Sequence, residues 1–250
     1  IPTSQITGTG DGNQFYSLFR DSKGFYWFGG ANGLIRFTDP AGERHDAIWY
    51  RMGDKTYPLS HNRIRHIYED KEQQLWIATD GSINRYDYAT RQFIHYNIVD
   101  NTGTYNTNWT YYIFEDTAEQ LWISTCLGGI FVVDKHKLMQ STSGQYIAEQ
   151  NYSVHNGLSG MFINQIIPDN EGNVWVLLYN NKGIDKINPR TREVTKLFAD
   201  ELTGEKSPNY LLCDEDGLLW VGFHGGVMRI NPKDESQQSI SFGSFSNNEI

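Results

Sequence analysis

Apolar and polar positions alternate along this chain in short runs, and the runs recur. Six-residue segments of strand character at Phe15–Arg20, Ile64–Glu69, Thr110–Glu115, Ile163–Pro168 and Pro208–Cys213 each lead into an aspartate. Six residues past that aspartate stands a tryptophan: Asp21 with Trp27, Asp70 with Trp76, Asp116 with Trp122, Asp169 with Trp175, and Asp214 with Trp220. Gly24, Gly172 and Gly217 stand three before the tryptophan in three of the five. An aspartate can accept backbone N–H bonds within a tight turn and glycine supplies positive φ, so each segment predicts a hairpin. The second strand starts at the tryptophan. After a Gly-bearing turn a third strand follows, at Leu34–Phe37 before Asp39, then Ile83–Tyr86, Ile130–Val133, Ile184–Ile187 and Val227–Ile230. A fourth, more polar strand is predicted at Ala47–Met52, Gln92–Asn97, Gln145–Gln150, Glu193–Phe198 and Ser239–Phe245.

Four strands repeating every ~40–50 residues define a β-propeller blade. The expected fold is all-β, a β-propeller with five recognisable four-stranded blades, read as a fragment of a larger propeller. The blades fall at about 13–57, 58–105, 106–155, 156–205 and 206–238, with 239–250 a last outer strand or the start of a β-sandwich. No strand alternates with a long helical segment, which argues against a parallel α/β fold. A solenoid would need shorter, more uniform repeats. In this reading each tryptophan fills the wedge between neighbouring blades and each aspartate caps its hairpin, so these ten residues are structural.

Composition agrees. Among 250 residues are 15 Tyr, 13 Phe, 7 Trp and 24 Gly, suited to short strands and tight turns. The formal net charge of -9 argues against non-specific nucleic-acid or anionic-membrane binding. No run approaches the ~18 apolar residues of a membrane helix. The opening Ile1-Pro2-Thr3 has no basic and apolar leader, so a signal peptide is expected to be removed or outside this sequence. Cys126 and Cys213 are too few for a disulfide scaffold or a four-ligand zinc site and are expected as buried thiols. No HExxH, Gly-x-Ser-x-Gly or phosphate-binding glycine loop is present. No catalytic residue, metal or cofactor is therefore assigned.

The repeat resembles the two-component regulator propeller repeat. The run Leu75-Trp76-Ile77-Ala78-Thr79-Asp80-Gly81-Ser82-Ile83-Asn84-Arg85-Tyr86-Asp87 follows its pattern, as does Trp220–Asn231, and Asn156-Gly157-Leu158-Ser159 matches its lead-in. The resemblance covers about residues 13–232. It implies the periplasmic sensor region of a hybrid two-component system histidine kinase/response regulator, detecting glycan-derived oligosaccharides. The kinase would lie outside this chain, and the full-length membrane receptor would be a homodimer. The alternatives are a propeller lyase or glycosidase, for which His66, His224 and Asp80 offer acid–base groups, and a protein-interaction scaffold.

Propeller geometry gathers the starts of the inner strands and the turns between second and third strands at one mouth. The residues five and four before each aspartate are polar or amphipathic: Tyr16-Ser17, Arg65-His66, Tyr111-Tyr112, Asn164-Gln165 and Asn209-Tyr210. The next column is apolar core: Leu18, Ile67, Ile113, Ile166 and Leu211. Sugars stack C–H faces on aromatic rings and pair hydroxyls with polar side chains. Trp109, Tyr111, Tyr112 and Tyr210 are the candidate stacking residues. Asn62, Arg65, His66, Asp80, Asn180 and His224 are the candidate polar contacts. Strand alternation places Arg63 and Arg65 on one face, which admits an acidic oligosaccharide. Asn13, Asn62 and Asn108, eight before the aspartate, are expected to tie chain to sheet.

Overall fold

The computed structural model describes residues 14–38, 47–56, 58–142, 144–179, 183–198, 200–202 and 207–242. Asn13, Asp39, Asn180 and the tail from residue 243 lie outside them. The fold is a β-propeller whose five inner strands span the predicted ranges: β1 Phe15–Arg20, β5 Ile64–Glu69, β10 Thr110–Glu115, β15 Ile163–Pro168 and β19 Pro208–Cys213. Each leads a four-stranded antiparallel sheet. The second strands are β2 Tyr26–Gly30, β6 Leu75–Thr79, β11 Gln120–Thr125, β16 Val174–Leu178 and β20 Leu219–Phe223. The third are β3 Gly33–Phe37, β7 Ser82–Asp87, β12 Ile130–Asp134, β17 Ile184–Asn188 and β21 Gly226–Ile230. The outer strands are β4 Ile48–Tyr50, β8 Gln92–Tyr96, β14 Gln150–Tyr152, β18 Glu193–Leu197 and β22 Gln237–Ser241.

The third sheet departs from the expected pattern. Asp134 caps a short helix, α1 Lys135–Gln140, accepting the N–H groups of His136 and Lys137. The chain then pairs β13 Tyr146–Ile147 in parallel with β9 Ile98–Val99, and only Gln150–Tyr152 closes the sheet. The predicted strand at Gln145–Gln150 therefore splits. Six residues of helix are too few to declare themselves by periodicity. Leu138, Ile98 and Ala148 anchor the insertion in the core.

The aspartate–tryptophan pair has the same chemistry in every blade. One carboxylate oxygen accepts the backbone N–H four residues on: Phe25, Gln74, Gln120, Asn173 and Leu218, at 2.8–3.0 Å. The other accepts the indole N–H of Trp27, Trp76, Trp122, Trp175 and Trp220, at 2.6–2.9 Å. A single side chain thus closes the turn and satisfies the one polar atom of the ring that packs behind it. Where Gly24, Gly172 and Gly217 take positive φ, Gln73 and Glu119 do so in the other two turns at 62° and 61°.

Two compact units divide the chain: Ile1–Thr125 with Phe131–Asn151, and Cys126–Ile130 with Tyr152–Ile250. In the first unit β5 lies against both β1 and β10. Trp27 packs with Ile64, Ile67 and Ile77 of the next sheet, and Trp76 with Ile113, Leu121 and Ile123. A Cβ on Gly29 would approach Ile64 Cγ2 at 2.5 Å, which shows how closely β2 meets the following inner strand. In the second unit β15 and β16 lie against β19.

The lead-in serines are also structural. Ser60 donates its backbone N–H to Asn84 Oδ1, and Asn84 Nδ2 returns a bond to Ser60 Oγ at 2.7 Å. Ser159 donates both its N–H and hydroxyl to the buried Asp185 carboxylate at 2.7 and 2.6 Å. Burial raises the Asp185 pKa against the lowering effect of these bonds. Cys126 and Cys213 are partly exposed and not buried, since each sits at a sheet end rather than within it, and no disulfide joins them.

Candidate functional site

The register of every inner strand breaks at the same column. β1 skips Tyr16, β5 skips Arg65, β10 skips Tyr111, β15 skips Asn164 and β19 skips Asn209. An extra residue of this kind forms a β-bulge, which turns its side chain out of the regular alternation and is frequent beside functional sites. The bulge takes Arg65 out of the regular pairing of β5, and Arg65 and Arg63 both reach the Asp80 carboxylate.

In the first unit the bulged side chains meet. The Arg65 guanidinium lies 4.5 Å from the Tyr111 ring centroid and 5.8 Å from that of Tyr16. It grips Asp80 with two bonds, Nε to Oδ1 at 2.7 Å and Nη2 to Oδ2 at 3.2 Å. Arg63 Nη1 stands 3.6 Å from the same carboxylate. Burial works to lower the Arg65 pKa, but the Asp80 bond and charge outweigh it and the net shift is upward. The Asp80 carbonyl accepts the Trp109 N–H at 3.1 Å. Trp109 holds a left-handed φ of 55°, unusual for a bulky residue, and its side chain is exposed. Arg65, Asp80, Trp109 and Tyr111 thus come together, with Tyr16 and Arg63 beside them.

The neighbouring column has a different task. His66 stacks on Tyr112 at a centroid distance of 3.8 Å and an interplanar angle of 17°. Its Nδ1 accepts the Ile113 N–H of the next inner strand at 3.3 Å, which leaves the ring proton on Nε2. Burial lowers the His66 pKa to about 4, so the ring is neutral at physiological pH. In the second unit Gln165 does the same, accepting the Leu211 N–H at 2.8 Å and donating to the Leu211 carbonyl at 2.9 Å. This column joins inner strand to inner strand. Its lateral role leaves no trace in the sequence, where it reads as more mouth polarity.

Asn62 is engaged by the chain itself, its Oδ1 accepting the Met52 N–H at 2.8 Å. Tyr210 and His224 are exposed in the second unit, where Pro208 at the start of β19 pairs with Phe223, the residue before His224. Asn180 lies outside the described residues. Among the described residues no group of three His, Cys, Asp or Glu could hold a metal ion, and no helix is long and apolar enough to cross a membrane.

Inner strands with a shared bulge and aspartate-capped hairpins, repeated from sheet to sheet, define a β-propeller built from one recurring blade. The two-component regulator propeller family model matches residues 9–32 and 58–81. Among solved structures, the chain is 99% identical to two of the extracellular domain of BT4673 from B. thetaiotaomicron, each with a TM-score of 0.94. One is described as a one-component system and the other as a hybrid two-component system. Those matches cover 99% and 100% of this chain but only 33% and 34% of theirs, so the chain spans about a third of their length. The extracellular domain of BT3049 from the same organism shares 20% identity over 94% of this chain and 32% of its own, with a TM-score of 0.73, a likeness of fold. Among curated proteins none matches.

Proposed function

We propose that this chain is an extracytoplasmic ligand-sensing region of a hybrid two-component sensor, that it binds an oligosaccharide at the Tyr16–Arg65–Tyr111 mouth, and that the signal passes to a kinase outside these residues. The observation that carries the binding site is the bulge column. In three successive sheets it turns a ring, a guanidinium and a ring toward one another, beside the exposed Trp109. Rings take the C–H face of a sugar, and Arg and Asp take its hydroxyls. The 99% identity to the extracellular domain of BT4673 supports the sensor role and the location outside the cytoplasm. The reading is binding and not turnover. Asp80 is held by two arginines and His66 is neutral with Nδ1 committed, so neither is poised as an acid–base group. Asp80 neutralises Arg65, and the more exposed Arg63 is the cation left to meet an acidic sugar.

Calorimetric titration with neutral and uronic-acid oligosaccharides tests this. Trp109→Ala and Tyr111→Ala are each expected to lower affinity about tenfold, roughly 1.4 kcal/mol, with the unfolding midpoint little changed. Binding that survives both substitutions intact overturns the mouth. Release of shorter products from any of these glycans overturns the sensor reading in favour of an enzyme.

A further inference from the structure

An arginine has two edges that can hold a pair of oxygens. The side edge is made by Nε and one terminal nitrogen, the end fork by the two terminal nitrogens. In Arg65 the side edge is occupied: Nε donates to Asp80 Oδ1 at 2.7 Å and Nη2 to Asp80 Oδ2 at 3.2 Å. The end fork, one N–H of Nη1 and one of Nη2, has no acceptor among the described residues. Nη1 is not sealed in either. Among the described residues the buried side-chain atoms without a partner are Glu115 Oε1, Ser124 Oγ and Lys135 Nζ, so Nη1, which lacks one, reaches solvent.

Everything else about this side chain is fixed from within the first unit. The Tyr111 and Tyr16 rings flank the guanidinium, with centroids 4.5 and 5.8 Å away. The turn that carries Asp80 is tied on both sides of that residue: its N–H donates to the Arg63 carbonyl at 3.2 Å and its carbonyl accepts the Trp109 N–H at 3.1 Å. The fork is therefore oriented before anything binds, on the same turn that holds the backbone of the exposed Trp109.

Asp80 also decides the charge at the fork. It neutralises Arg65, while Arg63, 46% exposed, stands 3.6 Å from the same carboxylate. The fork thus offers two parallel donors with no surplus charge of its own. Two neutral oxygens side by side satisfy it. Adjacent gauche hydroxyls of a sugar ring present such a pair; a lone hydroxyl leaves one donor unmet, and a diaxial pair is spread too far.

We propose that the end fork of Arg65 is the specificity-determining contact of this mouth and that it selects a neutral oligosaccharide carrying an unsubstituted vicinal diol. The inference rests on the oligosaccharide reading of the mouth and adds which atoms of protein and sugar meet. Both hydroxyl oxygens accept from the fork, and their own protons stay free for water.

Calorimetry with neutral tetrasaccharides of glucose, galactose, mannose or xylose units, each beside a monodeoxy analogue that lacks one hydroxyl of the diol, tests the assignment. For a tetrasaccharide that binds, loss of that hydroxyl is expected to weaken binding to the wild type about tenfold. Arg65→Lys keeps a cation beside Asp80 but has no fork. It should bind the parent sugar as weakly as the wild type binds the deoxy analogue, and should not distinguish the two sugars. This cycle separates a lost contact from a disturbed fold, because a variant that only distorts the mouth weakens both sugars and keeps the preference between them. Affinity for the neutral sugar should not change with salt. The inference falls, with the mouth intact, if Trp109→Ala and Tyr111→Ala weaken binding while the wild type ignores the deoxy change or Arg65→Lys retains the preference. A uronic-acid tetrasaccharide bound more tightly than every neutral one, with an affinity that drops as salt rises, also overturns it. Binding of none of these sugars, neutral or acidic, overturns the mouth itself and the fork with it.

Discussion

The aspartate six residues before each tryptophan is one side chain with two acceptors and two obligations. Removing it opens the turn and also strands an indole N–H, and the second effect depends on burial. Trp76 is fully buried, and a buried donor without a partner costs ~1–3 kcal/mol. Asp70 also lies 3.6 Å from the buried Lys135 ammonium. Asp70→Ala is therefore expected to destabilise the chain by about 3 kcal/mol in urea denaturation. Asp214→Ala makes the same chemical change beside a partly exposed Trp220, where water can replace the lost acceptor, so its midpoint should move much less. Equal losses at the two positions would mean that the turn, and not the indole bond, is what the aspartate secures.

Between blades, polar groups do what the apolar columns cannot: they fix how one sheet is set against the next. The residue that follows the third strand reaches back to the aspartate of the preceding blade. Tyr88 donates its hydroxyl to Asp21 at 2.7 Å, and Lys135, in the same position one blade on, approaches Asp70. Lys135 is fully buried, with Nζ 2.7 Å from Glu115 and 3.4 Å from Glu72. The carboxylates around it hold its pKa up against burial. Lys135→Met would leave Glu115 and Asp70 buried without their cation, a loss of about 3 kcal/mol on the scale of broken buried pairs. Glu115→Gln can still accept the Lys71 N–H, so the Lys135→Met/Glu115→Gln double variant should be less damaged than the sum of the singles. A double-mutant cycle in urea checks this, and strict additivity would show that Lys135 and Glu115 do not interact. These contacts also mark how far the sequence could be read. The strand ranges and the aspartate–tryptophan spacing were legible because they obey a local period of two and a fixed offset. The bulge was visible only as the polar column Tyr16, Arg65, Tyr111, Asn164 and Asn209. Neither Lys135 nor His66 could be placed, because each meets a group on another blade far off in the sequence, Asp70 for Lys135 and the Ile113 N–H for His66. The Arg65–Asp80 pair was foreshadowed only by both residues falling among the mouth candidates.

Across the whole molecule, two buried titratable groups in separate units respond to acid in opposite directions. His66 in the first unit has its pKa lowered from 6.5 to about 4 by burial. The unfolded chain takes up a proton below pH 6.5 that the folded chain refuses, so His66 contributes stability above that pH and loses it progressively down to about pH 4. Asp185 in the second unit is raised by burial, so its folded form holds a proton more tightly than its unfolded form. Its contribution is largest at low pH and is lost as pH climbs from the ordinary carboxylate range through the raised value. Asn84 occupies the equivalent position in the second blade and makes its serine bonds without any charge. Asp185→Asn should accordingly fold at least as well as the wild type at pH 7 and remove this slope. Hydrogen exchange resolves the two effects in one sample. On moving from pH 7 to pH 5, after correction for intrinsic exchange, amides of β5 and β10 are expected to lose about twentyfold in protection, as a pKa lowered from 6.5 to about 4 requires. Those of β16 and β17 should hold or gain. His66→Gln should abolish the first change and leave the second, and Asp185→Asn the reverse. A uniform loss of protection in both units, unaltered by either substitution, would place the acid sensitivity in the carboxylates of the turns and not in these two buried groups.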